Sequence, residues 1–411
     1  MKITRLSVTN YKSFSTSNNP TDDEITGLSN INMVYGYNNS GKSNLLKFIH
    51  QIFQPKIGLK EITVEGQKMK TDEELTFWRG PVTNSPFIFH KNNRNNSIAF
   101  AITLRVSHEE IKHSGFTQYK ELSELFSATH DYATFFFEGE IRKIDDYDTA
   151  EMVLLNAKIN NKAIYSLDNS KRGVYFEGAP KNNILKADAT AFLNLLSFFN
   201  NATLFLDNNR YFINEAIDKR IQNFSAHTFK NWLYNLSLNP RKNQVFDQLN
   251  AFIKKYKISP ASANPDDAIF SEAEKNSPFS NFNPEFAILE NDTIEIMFRR
   301  GRDRFPLSSF GTGIQQLLYI LTALYTSNAR IILIEELELN LSPRYQRELF
   351  NILRSLIDDN RIDQVFFTTH SKYFHHRSDF SIYEVTINNQ GVSKVVKATK
   401  TKKSLFFREI E

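Results

Sequence analysis

Gly36-Tyr37-Asn38-Asn39-Ser40-Gly41-Lys42-Ser43 fits the phosphate-binding pattern G-x-x-x-x-G-K-[ST]. The residues before it, Ile31-Asn32-Met33-Val34-Tyr35, read as a short buried strand. Lys42 to Phe53 carries Leu45, Leu46, Ile49, Ile52 and Phe53 on one face of a helix. Strand, loop and helix thus stand in the order that turns successive backbone N–H groups and a helix N-terminus toward phosphate. Gly36 and Gly41 let the backbone turn and approach closely. Lys42 is placed to neutralise the β and γ phosphates and the Ser43 hydroxyl to take one position on Mg²⁺. Asn38, Asn39, Ser40 and Asn44 complete the nucleotide-binding candidates, and ATP with Mg²⁺ is the expected ligand.

The chain has 411 residues, 41% hydrophobic and 23% charged, enough for two or three packed units. It contains no cysteine, which excludes a disulfide scaffold and a thiolate metal site and fits a reducing compartment. Met1 to Val8 alternates like a strand and lacks a signal peptide's apolar run, and no stretch is long enough to span a bilayer, so no membrane association and a cytoplasmic location are expected. A net charge of +4 is too small to argue for nucleic acid by itself. The basic tail, Lys394, Lys397, Lys400, Lys402 and Lys403, reads first as a solvated face.

A second constellation lies far downstream. Ile331-Ile332-Leu333-Ile334 is a continuous apolar run, read as a buried parallel strand, and ends in Glu335-Glu336. Carboxylates at such an edge are costly unless something there needs them. Glu335 is assigned to Mg²⁺ through water and Glu336 to the attacking water as base, the alternative being a pair of acids fraying into solvent at a strand end. Ser342 and Pro343 then cap a helix whose apolar face carries Tyr345, Leu349, Leu353, Leu356 and Ile357. Asp363 to His370 reads as another buried strand with a polar end. His370 is either a γ-phosphate sensor or a capped core histidine. Ser309, Gly311 and Gly313 precede the apolar helix that starts at Ile314 and make a second anion site or a plain N-cap.

Residues 56–186 read as β-rich, with Ser97 to Val106, Thr134 to Ile144 and Ala163 to Gly178 strand-like. Residues 187–280 read as a helical insertion, including Asp188 to Phe199 and Phe212 to Leu236. Residues 1–55 and 281–411 would then form the nucleotide-binding head, with strands and helices alternating again from 281. No heptad pattern marks a coiled-coil arm.

The phosphate loop, Ser309-Phe310-Gly311-Thr312, Glu335-Glu336 and Thr369-His370 occur in the order seen in ABC-type ATPase heads, which the chain resembles. Asn10-Tyr11-Lys12-Ser13-Phe14, the Gly36 to Leu45 run and Glu335-Glu336-Leu337-Glu338 are similar to the AAA-type "overcoming lysogenization defect" ATPases and their relatives in anti-phage systems such as Septu and PARIS. The resemblance covers about residues 1–55 and 281–385. It implies an α/β P-loop head with a mixed sheet and flanking helices, and two subunits that sandwich two nucleotides. Ser309 and Gly311 would contact the γ-phosphate bound by the other subunit. Lys42 and Glu336 would be catalytic, His370 the switch histidine, and Glu338 and Asn340 would lie in the loop touching the partner. Tyr37 and Leu337 stand where Pro is common in relatives, and Gln67 is only a positional candidate for the glutamine loop.

Only residues 371–411 follow His370, too few for a nuclease domain of ordinary size. The expected function is therefore a regulatory ATPase acting as a homo-oligomer on a separate effector, a nuclease or toxin. The alternative is a DNA-repair or recombination ATPase with an SMC-like head that clamps DNA.

Overall fold

The computed structural model describes residues 1–14, 24–53, 58–64, 67–80, 88–92, 96–113, 131–143, 150–166, 199, 202–210, 212–213, 215–218, 220, 224–239, 243–255, 284–289, 291–300, 302–371, 374 and 380–398. The chain divides into two compact units: Met1–Phe205 with Ala329–Glu335 and Asn360–Glu411, and Leu206–Asn328 with Glu336–Asp359. The second unit includes residues 281–328 and 336–359.

The first unit is α/β, as expected. Strands β1 (Lys2–Val8), β2 (Ile25–Thr26), β3 (Ile31–Tyr35), β4 (Gly58–Val64), β5 (Gln67–Gly80), β6 (Ile98–Ser107), β7 (Tyr132–Lys143), β8 (Ala150–Ile159) and β9 (Lys162–Ser166) come first, with helices α1 (Lys42–Ile52) and α2 (His108–His113) between them. One sheet runs β2-β1-β6-β7-β8-β5-β4, with β9 on β8. The strands expected near Ser97 to Val106 and Thr134 to Ile144 are its centre. Residues 167–178 of the third expected strand, and nearly all of the helix expected at Asp188 to Phe199, lie outside the described residues. β7 alternates buried and half-buried along its length, as period-two side chains on a one-sided sheet must.

The second sheet of this unit has the order β10-β15-β16-β3-β17-β18, where β10 is Thr203–Leu206, β15 Ile331–Ile334, β16 Gln364–Thr368, β17 Ser381–Ile387 and β18 Ser393–Lys397. β15, β16, β3 and β17 are parallel, and β18 returns antiparallel. β3, β15 and β16 are wholly buried, which explains the unbroken apolar run of β15, while Asn32 of β3 and Gln364 and Thr368 of β16 are buried polar residues. Arg330 fixes the start of β15 against β16: its Nε lies 2.7 Å and its Nη2 3.1 Å from the Asp363 carboxylate. Gln364 bridges the two sheets, its amide giving to Ile3 O at 2.9 Å and accepting from Ile3 N at 2.8 Å. α1 packs Leu45, Leu46, Phe48, Ile49 and Ile52 inward, against β15 and β16.

The second unit holds β11 (Glu215–Ala216), α3 (Phe229–Leu238), α4 (Asn243–Lys255), β12 (Glu285–Ile288), β13 (Thr293–Arg300), β14 (Asp303–Pro306), α5 (Thr312–Thr326) and α6 (Pro343–Asp358). Its sheet is β11-β13-β12 with β14 on β13, all antiparallel. Two expectations are corrected here. Between Glu285 and Pro306 the chain pairs β12, β13 and β14 as hairpins, with Asp292 at a left-handed φ of 57° in a tight turn closed by Asp292 N to Leu289 O, and the expected strand–helix alternation begins only at α5 and continues through β15, α6 and β16. The helix expected over Phe212 to Leu236 starts only at Phe229. Glu215 leaves for the sheet, and its carboxylate caps α3 by accepting from Lys230 N at 2.8 Å and Asn231 N at 2.9 Å. The helix-like spacing of aromatic residues there serves a ring cluster instead: Phe212 stacks on Phe229, and Phe224 on Tyr319.

Candidate nucleotide-binding site

The loop after β3 turns at Gly36 (φ 152°) and Gly41 (φ 106°), conformations open to glycine. A Cβ at Gly36 would overlap the Val385 carbonyl, and one at Gly41 would lie 2.6 Å from both Ser13 Oγ and Ser393 Oγ. Tyr37, Asn38 and Asn39 at the crest are exposed, and Ser40 and Lys42 are buried. Lys42 Nζ donates to the carbonyls of Gly36 and Tyr37, each at 2.8 Å, so its ammonium sits inside the loop it follows. Ser43 and Asn44 are half-buried on the first turn of α1, and Asn44 Nδ2 donates to Ser13 Oγ at 3.1 Å.

Two features fit this cradle to a triphosphate. The N-cap of α1 is Gly41, and no side chain among the described residues caps it, which leaves first-turn N–H groups for an anion. Ser40 Oγ is buried and finds no hydrogen-bond partner among the described residues, a cost that a phosphate oxygen would relieve.

The parallel register places further candidates along the same sheet edge. Val34 of β3 is level with Thr368 of β16, and Phe367 of β16 with Ile334 of β15. The phosphate loop, Thr369-His370 and Glu335 therefore leave adjacent strands at their C-terminal ends. His370 is exposed, so the alternative of a core histidine does not hold. Glu335 is buried, with Lys47 Nζ of α1 3.4 Å from its carboxylate. Burial pulls the Lys12 ammonium below its ordinary value, Lys47 adds to that, and Glu335 opposes it. Lys12 and Lys47 thus join the charge balance around Glu335. Among the described residues no cluster of three or more His, Cys, Asp or Glu stands ready for a metal. A Mg²⁺ ion here would take Ser43 and Glu335 together with phosphate oxygens and water.

The remaining candidates lie in the second unit. Ser309 ends a 3-10 turn, Leu307–Ser309, and is exposed, as are Gly311 and Thr312 at the start of α5. Ser309 Oγ donates to Pro306 O at 2.7 Å, and a Cβ on Gly311 would meet nothing within 4 Å. Gly313 is different: it is buried, and a Cβ there would come 2.6 Å from Asn340 O. Its place is packing against the turn after Glu336. The 3-10 turn is also held from below. Ser308 N donates to Glu295 at 3.2 Å, and Glu295 is paired at 2.8 Å with Lys230, both side chains buried.

Glu336, half-buried, has a left-handed φ of 45° and begins the turn Glu336–Asn340, in which Leu339 N donates to Glu336 O and Leu341 N to Glu338 O. Ser342 then caps α6 as expected, accepting from Tyr345 N, with Pro343 in the first position. The inward face of α6 is carried by Gln346, Leu349, Phe350, Ile352, Leu353 and Leu356, while Tyr345 and Ile357 sit half-buried at its margins. Lys12 and Ser13 stand in the Asn10–Phe14 motif without a site role read from it, and Lys47, Ser393, Arg210 and the Lys230–Glu295 pair were not legible as site residues in the sequence.

These features define a P-loop ATPase domain. The chain belongs to the AAA ATPase domain family, whose model matches residues 1–374. It is 31% identical over 108 residues to an ATP/GTP phosphatase of Helicobacter pylori, covering 25% of this chain and 29% of that protein. It is also 31% identical over 118 residues to the uncharacterized protein MJ1542 of Methanocaldococcus jannaschii, covering 28% and 13%. The matched stretch is thus under a third of either relative's length. Among solved structures it is similar to an Smc head bound to the C-winged helix domain of ScpA (TM-score 0.47, 15% identity, 98% of this chain and 100% of that one). The SMC head domain from Thermotoga maritima gives TM-score 0.41 at 14% identity, covering 97% and 100%. No helix among the described residues is long and apolar enough to cross a membrane.

Proposed function

We propose that this chain is a regulatory ATPase that closes two heads around ATP and Mg²⁺ and so controls a separate effector, a nuclease or toxin, in bacterial anti-phage defence. The observation that carries the reading is the contrast between a complete phosphate loop and the turn around Ser309 that leads into α5, the signature turn, whose Ser309 and Gly311 face solvent. Membership of an ATPase domain family and the likeness to an ATP/GTP phosphatase support hydrolysis. Mg²⁺, when bound, supplies charge neutralisation of the phosphates. The first-turn amides of α1 and Lys42 hold the triphosphate, and Ser43 and Glu335 orient the metal side. Glu336 takes the proton of the attacking water, and His370 reports the γ-phosphate through a hydrogen bond. Ser309 and Gly311 close on the nucleotide of the second copy. Nucleotide then favours the closed state by its differential affinity for closed over open heads.

Glu336→Gln tests this: it should retain ATP and accumulate as a dimer in sedimentation with ATP and Mg²⁺. Hydrolysis at the parental rate would remove Glu336 as the base. Tight, salt-dependent DNA binding in the ATP state would instead favour the DNA-clamp alternative.

A further inference from the structure

Arg210 is 1% exposed, and its Nη2 donates to the carbonyl oxygen of Glu336 at 2.8 Å. That carbonyl also accepts from Leu339 N at 2.9 Å, so one acceptor ties the turn to itself and to a residue 126 positions upstream. Burying a guanidinium is expensive unless its surroundings compensate. Burial pulls Arg210 down from its ordinary value, and Asp207, Glu338, Tyr319 and Glu336 push it back toward the charged form. Three of those four are acids, two of them within the turn itself. The left-handed backbone of Glu336 is of the kind that persists only where surrounding contacts over-determine it. Gly313 braces the far end of the same turn at Asn340.

We infer that Arg210 is a positioning residue for ATP hydrolysis, clamping the backbone of Glu336 in the strained turn from which the water-activating carboxylate extends. The inference rests on the reading of Glu336 as base. Arg210 acts through the turn and not on the reacting groups themselves. It lowers the barrier by removing the freedom of the turn, a contribution that appears in kcat and not in ground-state ATP affinity.

Steady-state ATPase kinetics and nucleotide affinity are compared for the full chain carrying Arg210→Lys, Arg210→Met, Glu336→Gln and each Arg210 change combined with Glu336→Gln. Arg220→Ala, at an exposed side chain, is the control and keeps parental turnover. Arg210→Met should lower kcat by about 30-fold with KM and ATP affinity within about twofold, and Arg210→Lys should recover part of the loss. Neither change should slow the residual turnover of Glu336→Gln further, because the clamp acts only through that carboxylate. If Arg210→Met fails to fold, Arg210→Lys decides by the same kcat-against-KM split. Parental kcat, matched losses in kcat and affinity, additive losses on the Glu336→Gln background, or loss of fold in both variants overturns the inference. A Glu336→Gln enzyme at the parental rate overturns the underlying base assignment instead.

Discussion

Ser393 donates its hydroxyl to the carbonyl of Ser40, 353 residues earlier in the chain, and so holds the phosphate loop from behind. Ser13 reaches the same place: its carbonyl accepts from Ser393 N at 2.7 Å, and its Oγ accepts from Asn44. The β17–β18 hairpin, beyond the family-matched residues, is therefore part of the loop's scaffold.

Ser393→Ala should weaken ATP binding by about fivefold, the effect of one lost hydrogen bond of about 1 kcal/mol, with little change in melting temperature. Titration with a fluorescent ATP analogue measures it, and unchanged affinity would mean the loop holds its shape unaided.

Two glycines of the signature helix should respond oppositely. Gly313→Ala forces a methyl against Asn340 O and should lower stability by about 1–3 kcal/mol, read by denaturant unfolding. Gly311→Ala has open space and an ordinary φ of -56°, so the protein should fold with parental stability while ATP turnover falls. Turnover at the parental rate would remove Gly311 from the site.

The phosphate loop, β15 with its two acids, and the capped α6 were legible because each is a local pattern: a loop of fixed spacing, an unbroken apolar run, a Ser-Pro start. The supports of those elements were not. Arg210, Ser393 and Glu295 act on residues between 13 and 353 positions away, through backbone atoms that any residue possesses. The helix expected from Phe212 onward failed for a related reason. Its aromatic spacing fitted a helical stripe, yet Phe212, Phe224, Phe229 and Tyr319 meet as a ring cluster drawn from separate elements.

Lys230 and Glu295 form a buried pair beneath Ser308. Lys230→Met should cost about 3 kcal/mol because it strands the Glu295 charge, and adding Glu295→Leu should recover much of that in unfolding experiments. Recovery of stability without recovery of ATP turnover is expected, since Ser308 N loses its acceptor.

His50 of α1 lies 2.8 Å from Thr203 Oγ1, stacks on Phe205, and has its pKa pulled down by burial from 6.5 to about 4. The unfolded chain therefore binds more protons than the fold between pH 6.5 and 4. His50 should cost nothing above pH 6.5 and remove up to about 3 kcal/mol as pH falls through that window. Unfolding of His50→Gln across pH 4 to 7 should show a shallower decline than the parent, and parallel curves would refute the assignment.

The central claim is a nucleotide site completed by a second copy, and mixing two inactive variants tests it most directly. Lys42→Met disables the phosphate loop and Ser309→Arg the signature turn, so each alone should hydrolyse almost no ATP. A mixed dimer holds one site built from an intact loop and an intact turn. Equal mixing after subunit exchange should restore about a quarter of parental turnover if pairing is random and the two sites act independently. Ser309→Arg hydrolysing ATP at the parental rate by itself, or mixtures that stay inactive although mixed dimers are present, would contradict the account.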